Sequence, residues 1–109
     1  MSTVRLVDIA GVIRSKNAGP FELTLDIMFR DAAWYQRVRQ SGALDAARIA
    51  TLYGVDEADV ISIVAFDPAN AIKITLKRPL ASGAIGDSDV YGAQQHAPLL
   101  ALTFEGLQG

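Results

Sequence analysis

The sequence contains no cysteine, which excludes disulfides, thiolate nucleophiles and zinc or iron–sulfur sites built on thiolates, and fits any redox compartment. It contains one histidine, His96, so a multi-histidine metal site cannot be assembled within one chain. No apolar run approaches the ~20 residues that a membrane-spanning helix needs. The first residues, Met1-Ser2-Thr3-Val4-Arg5, lack the basic segment, apolar stretch and small-residue cleavage site of a secretory leader. A cytoplasmic protein without a membrane partner is expected. Charge of one sign is also missing: ten Lys and Arg against twelve Asp and Glu leave a net charge of −2. Neither half carries a polybasic arm, so nucleic acid is not an expected partner.

What the chain does have is apolar surface to bury. Half of its 109 residues are hydrophobic and 20% are charged, unlike the low hydrophobicity and high net charge of disordered chains. The length predicts a single domain over residues 1–109 with its own core.

Leu6, Ile9, Ala10 and Ile13 recur at helical spacing and predict a short amphipathic helix over residues 5–14, closed by Asn17-Ala18-Gly19-Pro20. From Phe21 to Phe29 every odd position is apolar while Glu22, Thr24 and Asp26 alternate with them, a strand with one buried face. Asp31 and Asp45 stand where helix caps belong, and Gly42 and Gly54 where helices end, so two short helices follow. Trp34 and Tyr35 are expected to pack in the core or between these helices.

Val60 to Phe66 is a nearly continuous apolar run of strand length. Asp67-Pro68-Ala69-Asn70 then supplies turn chemistry before the alternation Ile72, Ile74, Leu76 against Lys73, Thr75, Lys77, which predicts a hairpin with one wet face. Residues 79–98 read as a long loop, and Leu99 to Phe104 as a closing strand. The expected class is α+β: a two-layer sandwich, mainly an antiparallel four-stranded sheet with two to three helices on one face. A structureless loop longer than ~12–15 residues in a compact domain tends to be functional or disordered.

Three segments concentrate polar chemistry. Arg14-Ser15-Lys16-Asn17 places two cations, a hydroxyl and an amide before a glycine, a composition suited to a carboxylate or phosphate. Equally, two cations at a helix C-terminus complement its dipole. Ala81 to Asp89, after Arg78-Pro79, is rich in small residues with two aspartates that suit a base or a metal ligand. It lacks the lysine of a P-loop and the spacing of an EF-hand, and a surface turn explains it as well. Asp89-Val90-Tyr91-Gly92-Ala93-Gln94-Gln95-His96 brings two amides, a phenol and the histidine together. His96 is suited to general acid–base work near neutral pH, although a lone histidine is commonly a structural group. No nucleophile elbow or triad is present, and the residues point to no particular cofactor.

The segments Arg14 to Ile27, Leu52-Tyr53-Gly54-Val55, Phe66-Asp67, Ala71-Ile72-Lys73, Arg78-Pro79, Ser82-Gly83, Asp87 and Asp89 to Leu100 together resemble the small AtuA-associated family of unknown function. Members occur beside, or fused to, proteins of the acyclic terpene utilisation AtuA family. The resemblance runs from about Leu6 to Phe104. It implies a small subunit or accessory domain of a two-part enzyme with an AtuA-like larger protein as partner. It further implies catabolism of a small carboxylate substrate by hydration or dehydration, the hydro-lyase class. On that reading Arg14 and Lys16 clamp an anionic group. Ser15, Asn17, Tyr91, Gln94 and Gln95 line the site or orient the substrate, and His96, supported by Asp89, moves a proton, with Lys16 also in the catalytic set. Two rivals stand beside it: a non-catalytic interaction subunit, with a second copy of the chain as a further candidate partner, and a stand-alone carboxylate-binding module.

Overall fold

Three segments, residues 3–18, 21–77 and 97–105, are described by the computed structural model. Strand β1 (Thr3–Arg5) leads into the single turn α1 (Leu6–Ile9), then β2 (Ala10–Asn17) and β3 (Glu22–Phe29). Helices α2 (Ala32–Ser41) and α3 (Ala46–Tyr53) follow, then the hairpin β4 (Val60–Phe66) and β5 (Ala71–Lys77), and finally β6 (Thr103–Glu105). The main sheet has the order β2-β3-β5-β4, every pair antiparallel, while β1 and β6 form a separate two-stranded sheet. The expected α+β class and four-stranded antiparallel sheet are therefore present.

Alternation builds the core. Leu23, Leu25, Ile27 and Phe29 of β3 and Ile72, Ile74 and Leu76 of β5 are buried on one face of the sheet. Tyr35 and Val38 of α2 and Ile49 of α3 pack into the same cluster, with Leu6, Leu99 and Phe104. The helices are bounded as their residues dictate. The Asp31 side chain accepts from the Trp34 N–H at 2.8 Å and Asp45 from the Arg48 N–H at 2.8 Å. Gly42 and Gly54 close the helices at φ 69° and 66°, backbone that a side chain strains. In the β4–β5 connection Asn70 takes φ 50° and its carbonyl accepts from the Phe29 N–H at 2.9 Å, tying the turn to β3.

Three expectations are corrected. Residues 5–14 are not one helix: only Leu6–Ile9 coil, burying Leu6 and Ile9, and Ala10–Asn17 becomes an edge strand of the main sheet. The Arg5 guanidinium grips the Asp8 carboxylate through two hydrogen bonds of 3.0 Å, and Arg30 donates to the Asp8 carbonyl at 3.2 Å, fixing the turn where coil gives way to strand. Arg14 to Asn17 therefore lie in a strand, and the idea that their cations serve a helix C-terminus falls with the helix.

Likewise Leu99 to Phe104 is not one strand. Ala97–Ala101 forms a 3-10 turn, with Leu102 N–H bonded to the Leu99 carbonyl at 3.1 Å, and only Thr103–Glu105 is extended, pairing with β1 outside the main sheet. The fourth strand of the sheet is thus β2. Phe21, expected on the buried face, precedes β3 and is 53% exposed. Nearly all of the expected long loop lies outside the described residues.

Candidate functional site

The helices cover one face of the sheet, and on the other no described residue is buried. Register sorts that open face into rows. Val12 stands opposite Met28, Met28 opposite Ala71 and Ala71 opposite Phe66, an apolar row crossing all four strands. The next row runs Arg14, Asp26, Lys73 and Val64, and the one after it Lys16, Thr24, Thr75 and Ser62. Glu22 and Lys77 close the polar end. The open face thus grades from apolar to polar, with cations on Arg14, Lys16, Lys73 and Lys77 against carboxylates on Glu22 and Asp26.

Strand geometry decides where the predicted site residues go. Arg14 and Lys16 both project onto the open face. The Arg14 Nε approaches Asp26 Oδ2 to 3.3 Å, with the Asp26 side chain 25% exposed and the Arg14 side chain 60% exposed. The Thr24 hydroxyl donates to the Lys16 carbonyl at 3.1 Å, fixing the backbone that carries the lysine. Ser15 and Asn17, opposite Leu25 and Leu23, turn to the helix-covered side and are half-buried, and each has an interaction partner. Period-two alternation therefore brings the two cations together and separates them from the hydroxyl and the amide. Asp89, Tyr91, Gln94, Gln95 and His96 lie outside the described residues, as does the segment from Ala81 to Asp89.

The open face carries groups suited to binding. Exposed ammonium and guanidinium groups beside hydroxyls suit a carboxylate or phosphate, and an apolar row flanked by charge has the anatomy of an interface core and rim. By alternation alone, Asp26, Thr24, Lys73 and Thr75 make only a wet face. Their alternation was visible, but the signal that joins them to Arg14 and Lys16 is the register of β2 on β3, which a helix over residues 5–14 hides.

Two further polar arrangements are structural. The Tyr35 hydroxyl donates to Asp67 Oδ1, and Arg39 Nη1 lies 3.7 Å from the same oxygen. This chain bolts α2 to the end of β4. Burial first, and then the hydrogen bond to Asp67, raise the Tyr35 phenol above its ordinary range, so it stays protonated at neutral pH. On α3 the Arg48 guanidinium donates to the Thr103 carbonyl and lies 5.1 Å over the Phe104 ring. An open groove of about 560 Å³ runs beside it, lined by Asp45, Arg48, Thr51, Leu52, Ala101 and Thr103. Its two charged side chains are both engaged, Asp45 as a helix cap and Arg48 on β6, which leaves a shallow and mainly apolar trough.

One protein-family model, described as "Domain of unknown function (DUF4387)", matches residues 6–103. The match spans every segment that carries the family resemblance. No curated protein and no solved structure matches the chain.

Proposed function

The chain belongs to the DUF4387 family of domains of unknown function, and on that premise we propose that it is an accessory subunit that docks its open sheet face on a larger protein. The observation that carries the proposal is the apolar row Val12, Met28, Ala71 and Phe66 beside the cationic rows. Val12 and Phe66 are 40% and 58% exposed, and interfaces place apolar cores inside polar, Arg-containing rims. The cations then serve an anionic group at the contact. Arg14 and Lys16 hold it, since a charge-assisted pair gains strength where a partner excludes water.

The proposed partner is the AtuA-like protein that the resemblance implies. The proposed reaction, hydration or dehydration of a small carboxylate, belongs to the assembled pair. His96 with Asp89 is the proposed proton-transfer couple, and Tyr91, Gln94 and Gln95 orient the substrate. The His96→Ala exchange tests that part: turnover by the complex is lost while assembly persists, and retained turnover removes His96 from the mechanism.

A tagged pull-down from the native cell tests the docking. The expected result is a stoichiometric larger protein recovered with the wild-type chain and lost with Val12→Glu, which puts a charge into the apolar row at an already exposed position. Recovery of the chain alone, or of the same partner with the folded Val12→Glu variant, overturns the proposal.

A further inference from the structure

The two edges of the main sheet are unlike each other. The β2 edge carries Arg14 and Lys16, and charge is a device that keeps an edge strand from pairing with another chain. Both edges have one irregular register, between Ala10 and Val12 on β2 and between Val60 and Ser62 on β4, so charge is what separates them. The β4 edge, Val-Ile-Ser-Ile-Val-Ala-Phe, has no charged residue and no proline, whereas the other three strands of the sheet each carry two charges. Its side chains are β-branched or aromatic at five of seven positions, the composition that favours strand pairing. Ile61, which lies outside the open-face rows, is 51% exposed, and among the described residues β4 pairs with β5 alone.

We propose that β4 is a dimerisation edge, at which two copies of this chain pair their β4 strands antiparallel about a two-fold axis into one continuous sheet. A second copy fits because an antiparallel strand pair is self-complementary about a two-fold axis, and an uncharged strand meets itself without like-charge repulsion. The flanks agree on direction. Antiparallel pairing carries the acidic 3-10 turn Glu57–Asp59, immediately before β4, toward the far end of the partner's β4. There the half-exposed Arg39 lies 3.7 Å from Asp67. Arg39 offsets the Asp67 carboxylate at that end, whereas parallel pairing would set Glu57 and Asp59 against their own copies. Ile61 and Ala65 stand apart from the docking face, since the open-face rows take only Ser62, Val64 and Phe66 from β4.

Sedimentation of the purified chain over a hundredfold concentration range tests the dimer, with Ile61→Lys, Ala65→Lys and Val12→Glu as variants and far-UV circular dichroism to establish folding. The expected result is a wild-type dimer, a monomer for whichever edge variant folds, and a dimer for Val12→Glu. Amide exchange across β4 then slows with rising concentration in the wild type and in Val12→Glu, and not in a folded edge variant. A wild-type monomer throughout, a dimer that survives a folded edge variant, or a dimer lost with Val12→Glu as well each overturns the proposal. Since the pull-down reads the larger partner and sedimentation reads the chain alone, failure of one reading is distinguishable from failure of the other.

Discussion

Replacing Tyr35 by Phe removes one oxygen from the core and leaves the rest of the ring in place. Tyr35 is 1% exposed, and its ring stands 6.1 Å from that of Phe29 at 53°, contacts that Phe retains. What goes is the hydrogen bond to Asp67. Bonds to a charged group contribute ~1.5–3 kcal/mol, but the Asp67 side chain is 62% exposed and keeps Arg39 at 3.7 Å, so water and the guanidinium compensate much of the loss. The expected cost is about 1 kcal/mol, well below the ~3–5 kcal/mol of a large-to-small core truncation such as Tyr35→Ala. Trp34, the only tryptophan, adjoins the site on the same helix, so its fluorescence in urea titrations reports the change.

The same bond has a pH signature. Folding raises the Tyr35 pKa above its ordinary value of 10.0, by burial first and then by the Asp67 hydrogen bond. The folded state thus holds its proton where the unfolded chain has released it. That contribution to stability is complete below pH 10 and is lost as pH rises from there through the folded-state pKa. Tyr53, raised by burial alone, adds to the same alkaline limb. Tyr35→Phe should therefore make the loss of stability above pH 10 shallower without abolishing it. An alkaline limb identical in variant and wild type, or a neutral-pH cost of under about 0.3 kcal/mol, within the usual scatter of surface substitutions, refutes the reasoning.

Three other perturbations follow from the local geometry. Asp45→Ala removes the acceptor 2.8 Å from the Arg48 N–H and should cost about 1 kcal/mol in urea denaturation. Gly54→Ala places a side chain at φ 66° with open space around it, so only backbone strain acts and the loss should be about 1 kcal/mol; a stabilised variant would contradict the left-handed cap. Arg48→Ala deletes both the bond to the Thr103 carbonyl and the contact over Phe104, for about 2 kcal/mol. Amide exchange in β1 and β6 should accelerate more than in β3, and uniform acceleration would show that Arg48 does not pin the small sheet.

How much of the fold the residues disclosed depended on whether one period or two fitted them. β3 has an apolar residue at every second position and polar ones between, and no helix satisfies that. Leu6, Ile9, Ala10 and Ile13 fit a helix by spacing, yet only Leu6 and Ile9 share a helical turn, while Ala10 and Ile13 face inward from a strand. The irregularity at Gly11 and Val12 shifts the period-two register, leaving an alternation too short to outweigh the helical one. At the other end, Leu99 and Leu102 are three apart, the period of the 3-10 turn that buries them, and Phe104 is buried from the strand beyond. A contiguous apolar run does not reveal that change of conformation.

The same misreading governed the candidate site. If residues 14–17 formed a loop, four neighbouring polar side chains could converge on one ligand. A strand forbids it, because Arg14 and Lys16 must leave one face while Ser15 and Asn17 leave the other. The cations gain new neighbours instead, Asp26 and Thr24 across the ladder. The Arg14–Asp26 pair does not exhaust Arg14. An exposed ion pair contributes ~0–1 kcal/mol, so an anion delivered by a partner that excludes water competes for the guanidinium at little cost. Lys16 has no carboxylate opposite it, its cross-strand neighbour being Thr24. Anion recognition on the proposed docking face therefore depends more on Lys16 than on Arg14. It would lapse if a partner brought a carboxylate only to Asp26, whose own charge repels one.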